Sequence, residues 1–144
     1  MRLLFVLFIL LCFSKLSFAE DFGTIYIKVT GYDLTEGKLV VSLLNNKDSY
    51  ITSDKAPYKY LYLRNFKKKD GYYECEFSNV PYGEYAIQMY YDKNDNDKLD
   101  ITFGYPKEKY GFSNNATAFF SKPDYKKTCF QLNSKSTTQK IYLK

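Results

Sequence analysis

Apolar and polar residues alternate along most of this chain with a period of two. Ile25, Ile27 and Val29 are separated by Tyr26 and Lys28, the pattern of a strand with one face in a core and the other in water. Leu39, Val41 and Leu43 repeat it after the turn at Glu36-Gly37, and Asn45-Asn46-Lys47-Asp48 breaks it. Further strands are predicted over Tyr58 to Arg64, Tyr72 to Phe77, Tyr85 to Tyr91, Lys127 to Leu132 and Lys140 to Leu143. The basic run Lys67-Lys68-Lys69 precedes Asp70-Gly71 and reads as a solvated turn, and Ser53 to Pro57 reads as a surface loop. No segment sustains a helical period.

About seven strands joined by short turns predict an all-β domain, a single Greek-key β-sandwich of the immunoglobulin-like or transthyretin-like kind. The segment Val80-Pro81-Tyr82-Gly83-Glu84-Tyr85 fits such a fold. Pro-x-Gly-x-Tyr leads into a strand where the tyrosine hydroxyl can bond back to the preceding connection, forming a tyrosine corner. Tyr85 is the candidate for that role, with an ordinary core aromatic as the alternative.

The N-terminus changes where this domain is expected to work. Arg2 precedes the apolar run Leu3 to Phe13, and Ser17-Phe18-Ala19 follows the small-x-small cleavage pattern, so residues 1–19 are expected to be a signal peptide. The run is about half the roughly 20 residues of a membrane anchor. Cys12 is a poor lipidation site because Leu11 precedes it. Residues 20–144 are then one exported domain, periplasmic, cell-surface or secreted, whose partner is a protein or glycan met outside the cytoplasm. Loss of Arg2 and Lys15 lowers the formal charge from +5 to +3, too mild an excess to point to nucleic acid. Cys75 and Cys129 remain as a pair that an oxidising compartment could bridge. Cys75 shares a strand face with Tyr73 and Phe77, whereas Cys129 is out of phase with Phe130 and Leu132, so the disulfide is left open.

Chemistry concentrates between Asp92 and Ala116. Asp92, Asn94, Asn96, Lys98 and Asp100 stand at alternating positions, and oxygen side chains spaced by two are how a short loop wraps a hard cation. Calcium is the candidate metal. Asp92, Asn94 and Asn96 would offer side-chain oxygens, Lys98 its backbone carbonyl, and Asp100 an oxygen directly or through water. Glu108 is a further oxygen that could return to the loop. The flanks are strands, which excludes an EF-hand, and the same Asp and Asn residues also suit a tight turn held by side-chain to backbone bonds.

The long loop beyond carries Tyr105, Tyr110 and Phe112, the candidate aromatic platform for a glycan or peptide. The chain holds 16 tyrosines and no tryptophan, and tyrosine suits a half-exposed sheet face without any ligand. A hydrolase on Asp92, Asp100 and Glu108 is a third reading, since paired carboxylates can cleave glycosides. The chain has no histidine, so Ser-His and Cys-His nucleophiles and His-ligated zinc are out. A non-enzymatic exported β-sandwich is the leading expectation, with calcium stiffening a surface interaction loop.

Together, Gly83, Tyr85 and Ala86, then Asp92 to Asp100, then Gly104 to Ala116 resemble the bacterial domain-of-unknown-function family 2141. The family pattern runs G-x-Y-A, D-x-N-x-N-G-K-L-D and G-x-P-x-E-G-Y-G-F-S-N-N-A, and the similarity covers nearly the whole mature chain. Asp97 and Lys109 stand where the family usually has glycine. The resemblance implies an exported β-sandwich without an established activity. It also argues against reading Asn115-Ala116-Thr117 as a glycosylation sequon.

Overall fold

A computed structural model describes residues 21–52, 56–119 and 121–144. The signal-peptide expectation and the Ser53 to Lys55 part of the expected surface loop lie outside the described residues.

The strand alternation is realised. The chain runs through β1 (Phe22–Thr30), β2 (Lys38–Leu44), a short helix α1 (Lys47–Ile51), β3 (Lys59–Leu63), β4 (Tyr73–Pro81) and β5 (Gly83–Asp92). It continues through β6 (Ile101–Thr102), β7 (Tyr105–Pro106) and β8 (Tyr110–Phe112). A short helix α2 (Tyr125–Thr128), β9 (Phe130–Leu132) and β10 (Ser136–Tyr142) complete it. One sheet has the order β10-β1-β4, and a five-stranded sheet has β3-β2-β5-β8 with β9 on the leading end of β5. β6 and β7 form a separate hairpin.

The two larger sheets face each other across one core. Ile25, Ile27 and Val29 of β1, with Tyr73, Cys75 and Phe77 of β4, meet Leu39, Val41 and Leu43 of β2 and Ile87, Met89 and Tyr91 of β5. The fold is therefore an all-β sandwich. Tyr85 forms the predicted corner, its hydroxyl donating to the Pro81 carbonyl at 2.8 Å.

A second, smaller apolar cluster lies on the opposite face of the five-stranded sheet. Leu44, Ala86 and Phe112 are covered there by Tyr50 of α1 and Tyr125 of α2. Asn46 starts α1 by accepting the Ser49 N–H at 2.8 Å, the usual way a side-chain oxygen caps a helix. This cap explains why the Asn-Asn-Lys-Asp break becomes a helix and not a bare turn.

Three expectations need correction. The predicted strand Lys127 to Leu132 is helical up to Thr128, whose hydroxyl bonds back to the Tyr125 carbonyl at 2.6 Å, and only Phe130–Leu132 is strand. The last strand starts at Ser136 and runs parallel to β1. Its polar half hid it, because only Gln139 and Ile141 are buried in that stretch. Tyr110 and Phe112 are not loop residues either: β8 pairs with β5, setting Tyr110 against Tyr90 and Phe112 against Gln88. Gly111 between them lies so close to Ile141 that an added Cβ would sit 2.6 Å from its Cγ2.

Candidate functional site

The loop over residues 92–100 starts where β5 leaves its sheet. Asp92 stands opposite Lys38 in the β2–β5 register, which puts both side chains on one face. Asp92 is fully buried, and its carboxylate accepts the N–H of Asn96 at 3.0 Å and of Asp97 at 2.8 Å. Lys38 Nζ lies 3.2 Å from the same carboxylate. These bonds fold the loop over its own first residue. The fold-back uses left-handed backbone at Asp95 and Asp97, both with φ of 62°, a conformation Asp adopts more readily than most residues. Asp97 thus occupies the sharp-turn position without glycine. The preceding turn packs tightly on this point: Gly37, with φ of 70°, would place a Cβ 2.2 Å from the Asp92 carbonyl.

The other predicted ligands are brought together. Asn94 Nδ2 donates to Asp100 Oδ2 at 2.8 Å and Asn96 Nδ2 to Asp100 Oδ1 at 3.0 Å. The Lys98 N–H donates to Asn96 Oδ1 at 2.9 Å. Glu108 does return, accepting the N–H of Lys93 at 3.0 Å and of Asp100 at 3.1 Å, so one carboxylate clamps both ends of the loop. Among the described residues no three acidic, cysteine or histidine side chains gather as a metal-binding group. A cation here would therefore rely on amide and carbonyl oxygens beside Asp92 and Asp100. A half-turn of either Asn amide exchanges donor for acceptor, so the same side chains suit a hard cation as well as a hydrogen-bonded turn.

Sequence reasoning missed the basic partners. Lys38, itself buried, also reaches Asp95 at 2.6 Å and Asp97, and Arg64 forks onto Asp95 at 2.9 and 2.8 Å. Arg64 and then Lys38 hold the Asp95 carboxyl down at about 2. Asp95, Asp97 and Asp92 in turn raise Lys38 above the ordinary lysine range. The signal for Lys38 was a charged residue opening an otherwise apolar strand, Lys38–Leu44.

Beside the loop, the outer face of the five-stranded sheet carries a groove of about 840 Å³, within the usual range for small-ligand sites. Leu61 and Leu63 pack into the core, so the alternate residues Tyr60 and Tyr62 face outward. Their rings lie 6.2 Å apart at 10° to each other, 55% and 52% exposed, on the groove wall. Tyr90 also lines the groove, and burial pushes its hydroxyl up to about 12, leaving it a protonated donor.

Of the three predicted ligand aromatics, Tyr105 is exposed on the rim and Tyr110 is half-buried. Phe112 lines the groove as Tyr105 and Tyr110 do, but it is buried, its ring edge-on to Tyr50 at 6.2 Å and Tyr110 at 5.9 Å, so it contributes from the smaller core and not as an exposed platform. The missed aromatics Tyr60 and Tyr62 were legible in principle, as the off-phase partners of Leu61 and Leu63.

Among the described residues the two cysteines, Cys75 and Cys129, are free thiols. Cys75 belongs to the core between the sheets, while Cys129 packs on the smaller cluster across the five-stranded sheet. A sheet separates the sulfurs, which is why no bridge forms.

The family model described as "Uncharacterized protein conserved in bacteria (DUF2141)" matches residues 27–140, from within β1 to within β10. The chain belongs to this family. No curated protein and no solved structure matches it. In this DUF2141 chain the Ser113-Asn114-Asn115 run that carried the resemblance is structural. Ser113 Oγ accepts the Ile87 N–H at 2.8 Å and donates to the Thr128 carbonyl at 2.5 Å. Asn114 Nδ2 donates to the Cys129 carbonyl at 2.8 Å, and Asn115 Oδ1 accepts the Tyr142 N–H at 2.8 Å. These side chains tie β5, α2 and β10 together where β8 ends.

Proposed function

We propose that this DUF2141 protein is an exported, non-enzymatic binding module. Its ligand lies in the aromatic groove, and a calcium ion held by Asp92, Asn94, Asn96, Asp100 and the Lys98 carbonyl fixes the wall of that groove. One observation carries the reading: Asp97, Lys98 and Leu99 belong to the candidate calcium loop and also line the groove. Ordering the loop therefore orders the binding surface. The hydrolase alternative draws little support, because Asp92 and Glu108 are occupied with backbone N–H groups and Asp100 with two amides.

Two certain carboxylates give a low ligand charge, so a dissociation constant of about 10⁻⁴ to 10⁻³ M is expected, as in extracellular modules. At ten times that concentration the ion stabilises the folded state by about 1.4 kcal/mol, a rise in Tm of roughly 3 to 6 °C for a domain of this size. The test is a pair of thermal melts, chelated and in excess calcium, on the wild type and on Asp92→Asn. The wild type should shift and the variant should not. Magnesium should do less, since it demands stricter octahedral geometry. Superimposed wild-type curves up to several times the expected constant would leave the loop a hydrogen-bonded turn.

A further inference from the structure

We infer that the groove takes an acidic glycan, with Tyr60 and Tyr62 carrying its sugar rings and Lys122 meeting its carboxylate. The inference rests on the groove reading above and adds the chemistry of the ligand.

Charge complementarity supplies the first argument. Among the described residues, the charged side chains lining the groove are Asp97, Lys98 and Lys122. Asp97 shares the Lys38 ammonium with Asp92 and Asp95, so the balance of these three lining charges is a single positive one, and Lys122 is the lysine held inside the groove by protein contacts. Lys122 is an exposed residue overall, but its ammonium end is held against protein. It donates to the Tyr50 carbonyl and sits 3.8 Å from the centre of the Tyr50 ring. Among the described residues no carboxylate pairs with it. Burial of that ammonium lowers its pKa to about 8, as expected for a cation whose water has been partly replaced without a counter-charge. An incoming carboxylate supplies the counter-charge in a setting where it interacts more strongly than in open water.

The aromatic pair supplies the second argument. Tyr60 and Tyr62 are consecutive outward residues of β3 with nearly parallel, half-exposed rings. Such a surface offers flat apolar faces beside hydroxyl groups, which suits sugar rings with one C–H face and polar edges. A peptide adding itself as a strand would instead need the open backbone edge of a sheet. Side chains tie both ends of β3 to neighbouring elements. Lys59 bridges to the Ser78 and Asn79 carbonyls of β4, and Arg64 is clamped on Asp95.

The test measures binding of an oligogalacturonate and of its methyl ester by tyrosine fluorescence and calorimetry, with an oligoglutamate peptide as a third probe. The ester keeps the sugar rings and removes the charge. The wild type should bind the free acid about tenfold more tightly than the ester, the order of one charge-assisted contact. Lys122→Gln should erase that preference, Lys122→Arg should keep most of it, and Tyr60→Ala with Tyr62→Ala should weaken both sugars. Melting curves of each variant check folding. Equal binding of acid and ester, or a preference that survives Lys122→Gln, overturns the acidic assignment while leaving the groove reading in place. Binding of the peptide alone overturns the glycan. Binding of none of the probes overturns this inference and counts against the groove reading too.

Discussion

Replacing Ser113 with alanine removes one oxygen atom and should cost more than almost any other change of that size. Ser113 is wholly buried. Its hydroxyl sits where β8 leaves the sheet, and it takes over the next bond of the ladder by accepting the Ile87 N–H at 2.8 Å. The single hydroxyl proton goes to the Thr128 carbonyl at 2.5 Å, joining α2 to the sheet. Alanine cannot do either. The Ile87 N–H is left without its acceptor, and a buried unsatisfied group costs about 1 to 3 kcal/mol. The Thr128 carbonyl loses its donor, and that loss brings the total to roughly 2 to 4 kcal/mol. Out of a typical stability of about 5 to 15 kcal/mol, this is a large fraction. Tm should fall by on the order of 8 to 20 °C. Urea denaturation should show a lower midpoint at an unchanged slope, because the folded state loses bonds and not compactness. Ser134→Ala is the control. Its hydroxyl bonds the Ser136 carbonyl in an exposed turn, so its effect should stay within about 0.5 kcal/mol. If Ser113→Ala also stays within that limit, the hydroxyl is not bridging strand to helix and the structural account of the Ser-Asn-Asn run fails.

Mass spectrometry of the non-reduced protein should find both thiols free. Iodoacetamide at mildly alkaline pH should modify Cys129 well before Cys75, whose thiol burial pushes up to about 12, and denaturant should equalise them. Acid should weaken the domain through Asp95. Its carboxyl is depressed from the ordinary 3.8 to about 2, so its contribution is full above about pH 4 and is lost as pH falls through about 2. Arg64→Gln should flatten that limb of a stability-against-pH curve, and an unchanged limb would mean that the Arg64 fork carries nothing.

What the sequence revealed and what it hid divide along physical lines. Period-two alternation is local, so β1, β2 and β5 were legible, as was the Tyr85 corner from its turn residues. The spacing of Asp92, Asn94, Asn96 and Asp100 was legible too, because a loop that folds on itself is written in consecutive residues. Contacts made across the sandwich were not. Nothing near Lys38 in the chain names Asp92, Asp95 and Asp97 as its partners, since their meeting depends on the β2–β5 register. The parallel pairing of β10 with β1 likewise depends on a crossover that no local pattern encodes. The groove is the extreme case. Its walls come from β3, β5, the loop after β5 and the segment around Lys122, which are joined only by the fold.

Lys38 also bears on why the loop keeps its shape where the family usually has glycine. An aspartate at position 97 brings a second difficulty besides a left-handed backbone, namely another negative charge beside Asp92 and Asp95. The buried Lys38 ammonium touches all of Asp92, Asp95 and Asp97, and Arg64 takes the outer side of Asp95. Two fixed cations thus offset two of these three negative charges. Asn94, Asn96 and Asp100 face one another on the inside. The outer acids Asp95 and Asp97 anchor the loop beside β2 and the end of β3, while Asp92, which Lys38 also touches, joins Asn94, Asn96 and Asp100 as the oxygens of the proposed calcium site. The anchor explains how the loop can stay docked before any metal binds, so that calcium would stiffen a wall already in place and need not build it.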